Sequence, residues 1–560
     1  MTEHSEFLVC VAGEIVMDMA SVRSAIAPVV SELSQLLTRH VQEQPERTAV
    51  GTSDVGTVIS YRELDALVRS AMAQLSRLGL SRGGTIALVS DNCVEFVIGL
   101  LAVVSTGARV APLNPALTLS ELSTRLSQLS AYAVLAPKHL AGKLESAEAA
   151  TGSAAHWIMS VEGSGGGAFE VRIADRNGQS HANGAAEKTS TPIDGEDVAL
   201  LMFTAGTTSA PKVVPLTHSN VVASVRGISC AYELSPQDAT LIVMPLFHGH
   251  GLVAGLLATL ASGGSAYLPS TGGFSAHLFW GDVVRLGVTW YTAVPTIHRI
   301  LVNRASKDYP SSAPTKLRFM RSCSAPLDDE LAAAIPATFR APLISAYGMT
   351  EASHQVSSNP LPVHGPEKTS SVGLPTGVEI RIVADDGGDV ATGSVGEILV
   401  RGATVTSGYL DNPRANSASF VDGWFRSGDL GSQDADGYLY VRGRLKEIIN
   451  RGGEKISPGD IDEVLLSHPK VLDAASFGES DAIYGENVQA AVIMRPGIEA
   501  TEGELRDYCR SKLSAFEVPE RIYMVAEFPR TAKGSTDRRA LALRFVVGDS
   551  QFAGSRREKG

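Results

Sequence analysis

The chain has 560 residues, 44% apolar and 19% charged, with a formal net charge of −12. That length exceeds what one hydrophobic core organises, so two or more domains are expected. The acidic balance argues against nucleic acid as a partner, because a phosphate backbone demands a basic face. Five scattered cysteines (Cys10, Cys93, Cys230, Cys323, Cys509) form no CxxC pair, which points to reduced thiols in a cytoplasmic protein without a disulfide framework or a zinc site.

Residues 1–30 carry no assigned role. Met1–Phe7 holds Glu3 and Glu6 and no basic cluster, which disfavours a secretory signal. Ser60-x-x-Glu63 reads as a capping box ahead of a helix buried through Leu64, Leu67, Val68, Ala71, Leu75 and Leu78, with Gly79 placed to stop it. Thr85–Val89 reads as a buried strand and an apolar helix follows from Val94. The apolar stretches Val94–Val104 and Leu241–Leu260 are interrupted, by Glu95 in the first and by Pro245, His248 and His250 in the second. They read as buried elements and not as membrane spans. This alternation predicts an α/β domain with largely parallel sheets. Residues 160–195, rich in Gly, Ala, Ser and Asn, predict a surface excursion.

Further along, Glu397–Arg401 and Tyr438–Arg442 read as strands near glycine turns. Ser457 as N-cap and Pro458 in the first turn open a helix buried through Ile461, Val464 and Leu465. Thr501-x-x-Glu504 caps another, expected to end near Phe516. A compact α+β unit is therefore expected from about residue 447, with its boundary at Arg444–Glu447.

Three motifs carry chemistry. The apolar stretch Val198–Phe203 runs into Thr204-Ala205-Gly206-Thr207-Thr208-Ser209-Ala210-Pro211-Lys212. Hydroxyls and backbone N–H groups there can donate to a polyphosphate while Lys212 balances its charge. The spacing is not that of a Walker A loop, which needs a second glycine before the lysine. Next, Tyr347-Gly348-Met349-Thr350-Glu351 follows a strand-like segment. It sets a hard carboxylate ligand for Mg²⁺ (Glu351) beside a hydroxyl donor for the phosphate (Thr350). In Gly423-Trp424-Phe425-Arg426-Ser427-Gly428-Asp429, an aspartate after a glycine turn can accept hydrogen bonds from both ribose hydroxyls.

In this order the motifs resemble those of the adenylate-forming superfamily, which includes acyl-CoA synthetases, luciferases and peptide-synthetase adenylation domains. The likeness covers about residues 35–545. It implies an α/β architecture in which a large N-terminal adenylate-forming domain with parallel-rich sheets (31–445) carries a small mobile α+β C-terminal cap (446–545), flanked by the extension 1–30 and a tail 546–560. It assigns Thr204, Gly206, Thr207, Thr208 and Lys212 to the ATP phosphates. Ser324, Ala325, Pro326 and Tyr347 fall to the adenine, Asp429 and Arg444 to the ribose. Lys446 becomes the hinge of the swinging cap, and Gly452-Gly453 the lining of the CoA channel.

Two departures stand out. Ala205, Ser209 and Val213 replace the superfamily's Ser, Gly and Gly. In its last motif, Pro-x-Thr-x-x-Gly-Lys, the chain reads Pro529-Arg530-Thr531-Ala532-Lys533-Gly534-Ser535, so the lysine stands two places early. Lys533 is the candidate to neutralise charge as carboxylate and α-phosphate meet.

The resemblance implies acid + ATP + CoA → acyl-CoA + AMP + pyrophosphate, with Mg²⁺. Its acyl pocket maps to His248, Ser322 and His354, and the run Ser358-Asn359-Pro360-Leu361-Pro362 resembles oxalate–CoA ligases of plants and fungi. A small polar pocket suits a second carboxylate, whereas a long-chain acid needs an apolar tunnel. Oxalate or another short dicarboxylate is thus the expected acid. The alternatives are a medium- or long-chain fatty acid, and a nucleotide-binding homologue with impaired catalysis.

Overall fold

The computed structural model describes residues 32–144, 155–163, 169–175, 192–204, 211–310, 315–452, 454–481, 483–530 and 536–552. The candidates Gly206, Thr207, Thr208, Gly453 and Lys533, and the extension 1–30, lie outside the described residues.

Beside a five-stranded sheet that includes Gly396–Gly402, Trp424–Gln433 and Leu439–Arg444, two large sheets form the body. Among the described residues one has seven strands, in the order Phe169–Asp175, Ala155–Gly163, Ala133–Pro137, Thr85–Val89, Arg109–Leu113, Val198–Phe203, Val213–Thr217, with only the two edge strands antiparallel to their neighbours. The other has nine; its central strands, including Trp290–Ala293, Phe319–Ser322 and Leu343–Met349, run parallel. One apolar core joins Val50 and Ile59 of the second sheet to Ile86, Val110 and Leu200 of the first. Helix Val94–Ser105 is buried on nearly every face, as its almost wholly apolar sequence requires.

Helix Tyr61–Arg77 forms as its spacing dictates. The Ser60 hydroxyl accepts from the Glu63 N–H, and the Glu63 carboxylate accepts from the Ser60 N–H at 2.9 Å. Gly79, at φ +91°, provides the left-handed exit.

Three local expectations are corrected. Part of the supposed excursion at 160–195 belongs to a hairpin: Ala155–Gly163 pairs with Phe169–Asp175. Trp157, Met159, Val171 and Ile173 point inward while Glu170 and Arg172 face out, an alternation that the small polar residues around it obscure in sequence. Ser457 stands at the N-cap position of helix Pro458–Leu466 without capping it. Its hydroxyl instead donates to the Arg442 carbonyl at 2.8 Å, tying the helix start to strand Leu439–Arg444. Helix Glu502–Arg510 stops well short of Phe516, because the Cys509 carbonyl accepts from both Lys512 and Leu513 N–H and tightens the chain into a turn.

Residues from Ile449 onward build a separate five-stranded sheet with helices Pro458–Leu466, Glu502–Arg510 and Arg538–Phe552. Their core holds Ile449, Ile456, Ile461, Leu465, Val488 and Leu505. Ion pairs Arg495–Glu330 (2.8 Å) and Lys455–Asp385 (2.5 Å) cross to the body. Among the described residues no helix is long and apolar enough to cross a membrane, Cys93, Cys230, Cys323 and Cys509 are free thiols, and no cluster of three metal-binding side chains occurs.

Candidate active site

The two ends of the phosphate-loop segment are pinned to each other. Strands Val198–Phe203 and Val213–Thr217 pair antiparallel, with Phe203 opposite Val213 at the base of the loop. Above them the Thr204 N–H donates to the Lys212 carbonyl at 3.0 Å, and the Lys212 N–H donates to Thr204 Oγ1 at 3.1 Å. The Lys212 ammonium lies 4.0 Å over the ring of Tyr409. Burial lowers its pKa, with Glu351 opposing that shift and the neighbouring Lys446 adding to it. The Tyr409 hydroxyl donates to Glu351 Oε1 at 2.8 Å, and burial beside that carboxylate pushes the phenol up. Lys212, Glu351, Tyr409 and Lys446, distant in sequence, thus form one electrostatic cluster.

Strand Leu343–Met349 delivers the second motif and turns sharply through Thr350–Ala352 into the antiparallel strand His354–Ser358. The turn requires Gly348: a Cβ there would sit 1.6 Å from the His354 carbonyl oxygen. The Tyr347 hydroxyl donates to Asp429 Oδ2 at 2.5 Å, and Arg444 Nε lies 3.2 Å from Asp429 Oδ1. Asp429 and Arg444 face each other on paired strands. Burial raises the Asp429 carboxyl above the usual carboxylate range, with Arg444 pulling the other way. Ser324, Ala325 and Pro326 follow the end of strand Phe319–Ser322, with Ser324 in the left-handed region at φ +73°. Lys446 sits in the short turn Leu445–Glu447, and Gly452 (φ +61°) packs beneath Tyr484.

Beneath the second motif lies a buried polar network that sequence reasoning missed. Arg321 has no exposed surface, and its five N–H donors all meet neutral acceptors. Nε donates to the Tyr232 hydroxyl (2.8 Å), one terminal nitrogen to Thr292 Oγ1 (2.9 Å) and His250 Nε2 (3.3 Å), and the other to His354 Nε2 (3.1 Å) and Gln355 Oε1 (3.0 Å). The imidazoles of His250 and His354 stack with centroids 5.1 Å apart. Thr292 Oγ1 lies 2.6 Å from His250 Nε2, and Ser324 Oγ lies 3.1 Å from His250 Nδ1. Burial, with Arg321 and His354 adding to it, holds the His250 pKa well below the imidazole range. The structure therefore joins His354 to His250, two residues past the expected His248, at the start of the π-helix His250–Leu257. His248 is half-buried beside Phe247. Ser322 alternates to the opposite face of its strand from Arg321, and its hydroxyl is buried without a hydrogen bond. The sequence does carry one signal for Arg321: a charge that directly follows the apolar pair Phe319-Met320 inside the short strand Phe319–Ser322.

A protein-family model for AMP-binding enzymes matches residues 37–410, and a model for the AMP-binding enzyme C-terminal domain matches 460–535. The chain belongs to the AMP-binding enzymes. It is 43% identical to an oxalate–CoA ligase of Arabidopsis thaliana over 92% of this chain and 98% of that one. It is 36% identical to an oxalate–CoA ligase of Saccharomyces cerevisiae over 90% and 95%. The ATP-bound crystal structure of MatB from Rhodopseudomonas palustris superposes with a TM-score of 0.79 at 25% identity, covering 91% of this chain and 99% of that one. This AMP-binding enzyme is an AMP-forming acid–CoA ligase, with ATP, CoA and a carboxylic acid as its substrates. The adenylate-forming resemblance and the α/β body with parallel-rich sheets are borne out.

Proposed function

We propose that the acid is oxalate or another small dicarboxylate. The observation that carries this reading is the polar floor under the second motif. Two stacked imidazoles and a buried arginine form this floor, whereas a fatty-acid tunnel would need apolar walls. Ser322 and His248 are the other residues assigned to the acyl pocket; the Ser322 hydroxyl is buried and unsatisfied, on the opposite face of its strand from Arg321. The oxalate–CoA ligase names of the two relatives point the same way.

A carboxylate is a poor electrophile because its charge repels nucleophiles. In the first half-reaction a carboxylate oxygen attacks the α-phosphorus of ATP and pyrophosphate leaves. In the second, the CoA sulfur attacks the acyl carbonyl and AMP leaves, its phosphate taking the bonding pair. Lys212, Thr204 and the loop residues Gly206, Thr207 and Thr208 would hold the phosphates, with Thr350 donating to the α-phosphate. Asp429 and Arg444 would bind the ribose, and Tyr347 would flank the adenine with Ser324, Ala325 and Pro326. Lys446 would act as hinge and Gly452-Gly453 would pass the pantetheine, while Lys533 would neutralise the meeting anions. Glu351 fits Mg²⁺: it is a hard anionic ligand whose Oε2 makes no hydrogen bond among the described residues. Mg²⁺ ordinarily takes one or two carboxylates plus substrate phosphates, and its charge would offset theirs. The domain limits 31–445 and 446–545 belong to the same reading.

The test is a panel of acids incubated with ATP and Mg²⁺, following pyrophosphate and AMP release with and without CoA. Oxalate should give the highest kcat/KM. Turnover on palmitate with none on oxalate would refute the reading, and no acid-dependent pyrophosphate from any acid would favour an inactive nucleotide binder.

A further inference from the structure

Among the described residues Arg321 has no carboxylate partner. Among the described residues it makes no ion pair, and all its hydrogen bonds go to hydroxyls, imidazoles and an amide. Arginine is almost never fully buried without an acid, because an uncompensated charge in a low-dielectric interior is costly. Its strand neighbours Phe319 and Met320 are buried and apolar, so the core did not need a cation there.

The guanidinium also determines its neighbours' protons. It can only donate, so His250 Nε2 and His354 Nε2 must accept. Both neutral imidazoles then carry their proton on Nδ1. For His250 that atom points to Ser324, an exposed residue of the adenine-flanking segment. His354 lies directly under Gly348 of the second motif, and its Cβ is 3.4 Å from where a Gly249 Cβ would stand. The network therefore sits where the reading above places the acid.

We propose that Arg321 is a specificity-determining positioning residue: it locks His250 and His354 as Nδ1–H tautomers and makes the floor of the acyl pocket positive, so that the pocket selects an acid with a second carboxylate. This rests on the small-dicarboxylate reading above. Arg321 is fully buried and acts through the imidazoles and its field, without touching the acid.

The test compares oxalate with oxamate, which replaces the second carboxylate by a neutral amide of the same size. In R321M the ratio of kcat/KM for oxalate over oxamate should fall about 10-fold, the order expected when a charge that acts through its field and not by contact is removed. R321K keeps the charge and loses the fork, so it should retain most of that ratio. Long-range ¹⁵N–¹H spectra of the histidines should show Nδ1–H tautomers in the wild type and mixed tautomers in R321M. ATP affinity reports whether each variant is folded, and R321K carries the test if R321M is not. Oxalate and oxamate falling together, or R321K losing the ratio completely, would reduce Arg321 to a structural residue. If the wild type turned over no dicarboxylate, the reading of the acid would fall and the selectivity role with it. If the wild type preferred oxalate and R321M kept that preference, the Arg321 assignment alone would fall.

Discussion

Tyr409 offers the sharpest test of how the ATP end of the cleft is built. Its hydroxyl donates to Glu351 Oε1 at 2.8 Å, and its ring lies 4.0 Å below the Lys212 ammonium. One buried side chain thus orients the expected metal ligand and the expected phosphate-binding lysine. Tyr409→Phe keeps the ring and removes only the hydroxyl. A hydrogen bond to a charged acceptor is worth about 1.5–3 kcal/mol, and each 1.36 kcal/mol is tenfold in rate. The variant should therefore lose about 10- to 100-fold in kcat/KM for ATP, with a raised Mg²⁺ requirement. Tyr409→Ala also loses the cation–π contact, about 0.5–2 kcal/mol, and opens a cavity, so its thermal stability should fall as well. The assay is acid-dependent pyrophosphate release across ATP and Mg²⁺ titrations, beside thermal melts. Tyr409→Phe within twofold of wild type at limiting Mg²⁺ would show that Glu351 needs no orientation from this residue.

Other expectations follow from neighbouring contacts. Burial raises the Asp429 carboxyl, so its ionised form costs stability in the folded state, a cost relieved as pH falls through the raised value. ATP affinity should weaken over that same descent, because a protonated acid loses acceptor capacity for the ribose; titrating affinity and melting temperature in wild type and Asp429→Asn isolates the effect, and identical pH profiles would exclude it. Gly348→Ala places a methyl 1.6 Å from the His354 carbonyl, so the turn must shift at a cost of about 1–3 kcal/mol; a melt and the adenylation rate should both fall, and an unchanged melt would show that the turn relaxes freely. Lys533→Ala should cut adenylation far more than thioester formation from supplied acyl-AMP, and equal losses in both half-reactions would remove Lys533 from the first step.

The motifs of the ATP end were legible because each depends on residues a few places apart. The Ser60–Glu63 box, the Thr204–Lys212 loop and the Tyr347–Glu351 turn are local patterns, and hydrogen bonding and glycine freedom act at that range. The C-terminal end of helix Glu502–Arg510 and the idle cap of Ser457 were misread, because a competing turn at Cys509 and a carbonyl on another strand took the hydrogen bonds. The hairpin Ala155–Asp175 was hidden by composition, since alternation over a few residues is a weak signal among small polar ones.

The acyl floor lay beyond reach for a different reason. Arg321 meets side chains from the helix at Tyr232, the π-helix at His250, the strand at Thr292 and the strand at His354 and Gln355. No spacing encodes that convergence. Local order, and with it the chemistry of nucleotide activation, was fixed by the sequence through short-range bonds. Which imidazole faces which, and where a buried charge goes without an acid, was decided only when the strands and the helices against them packed together, because tertiary packing alone brings such distant residues within hydrogen-bond reach.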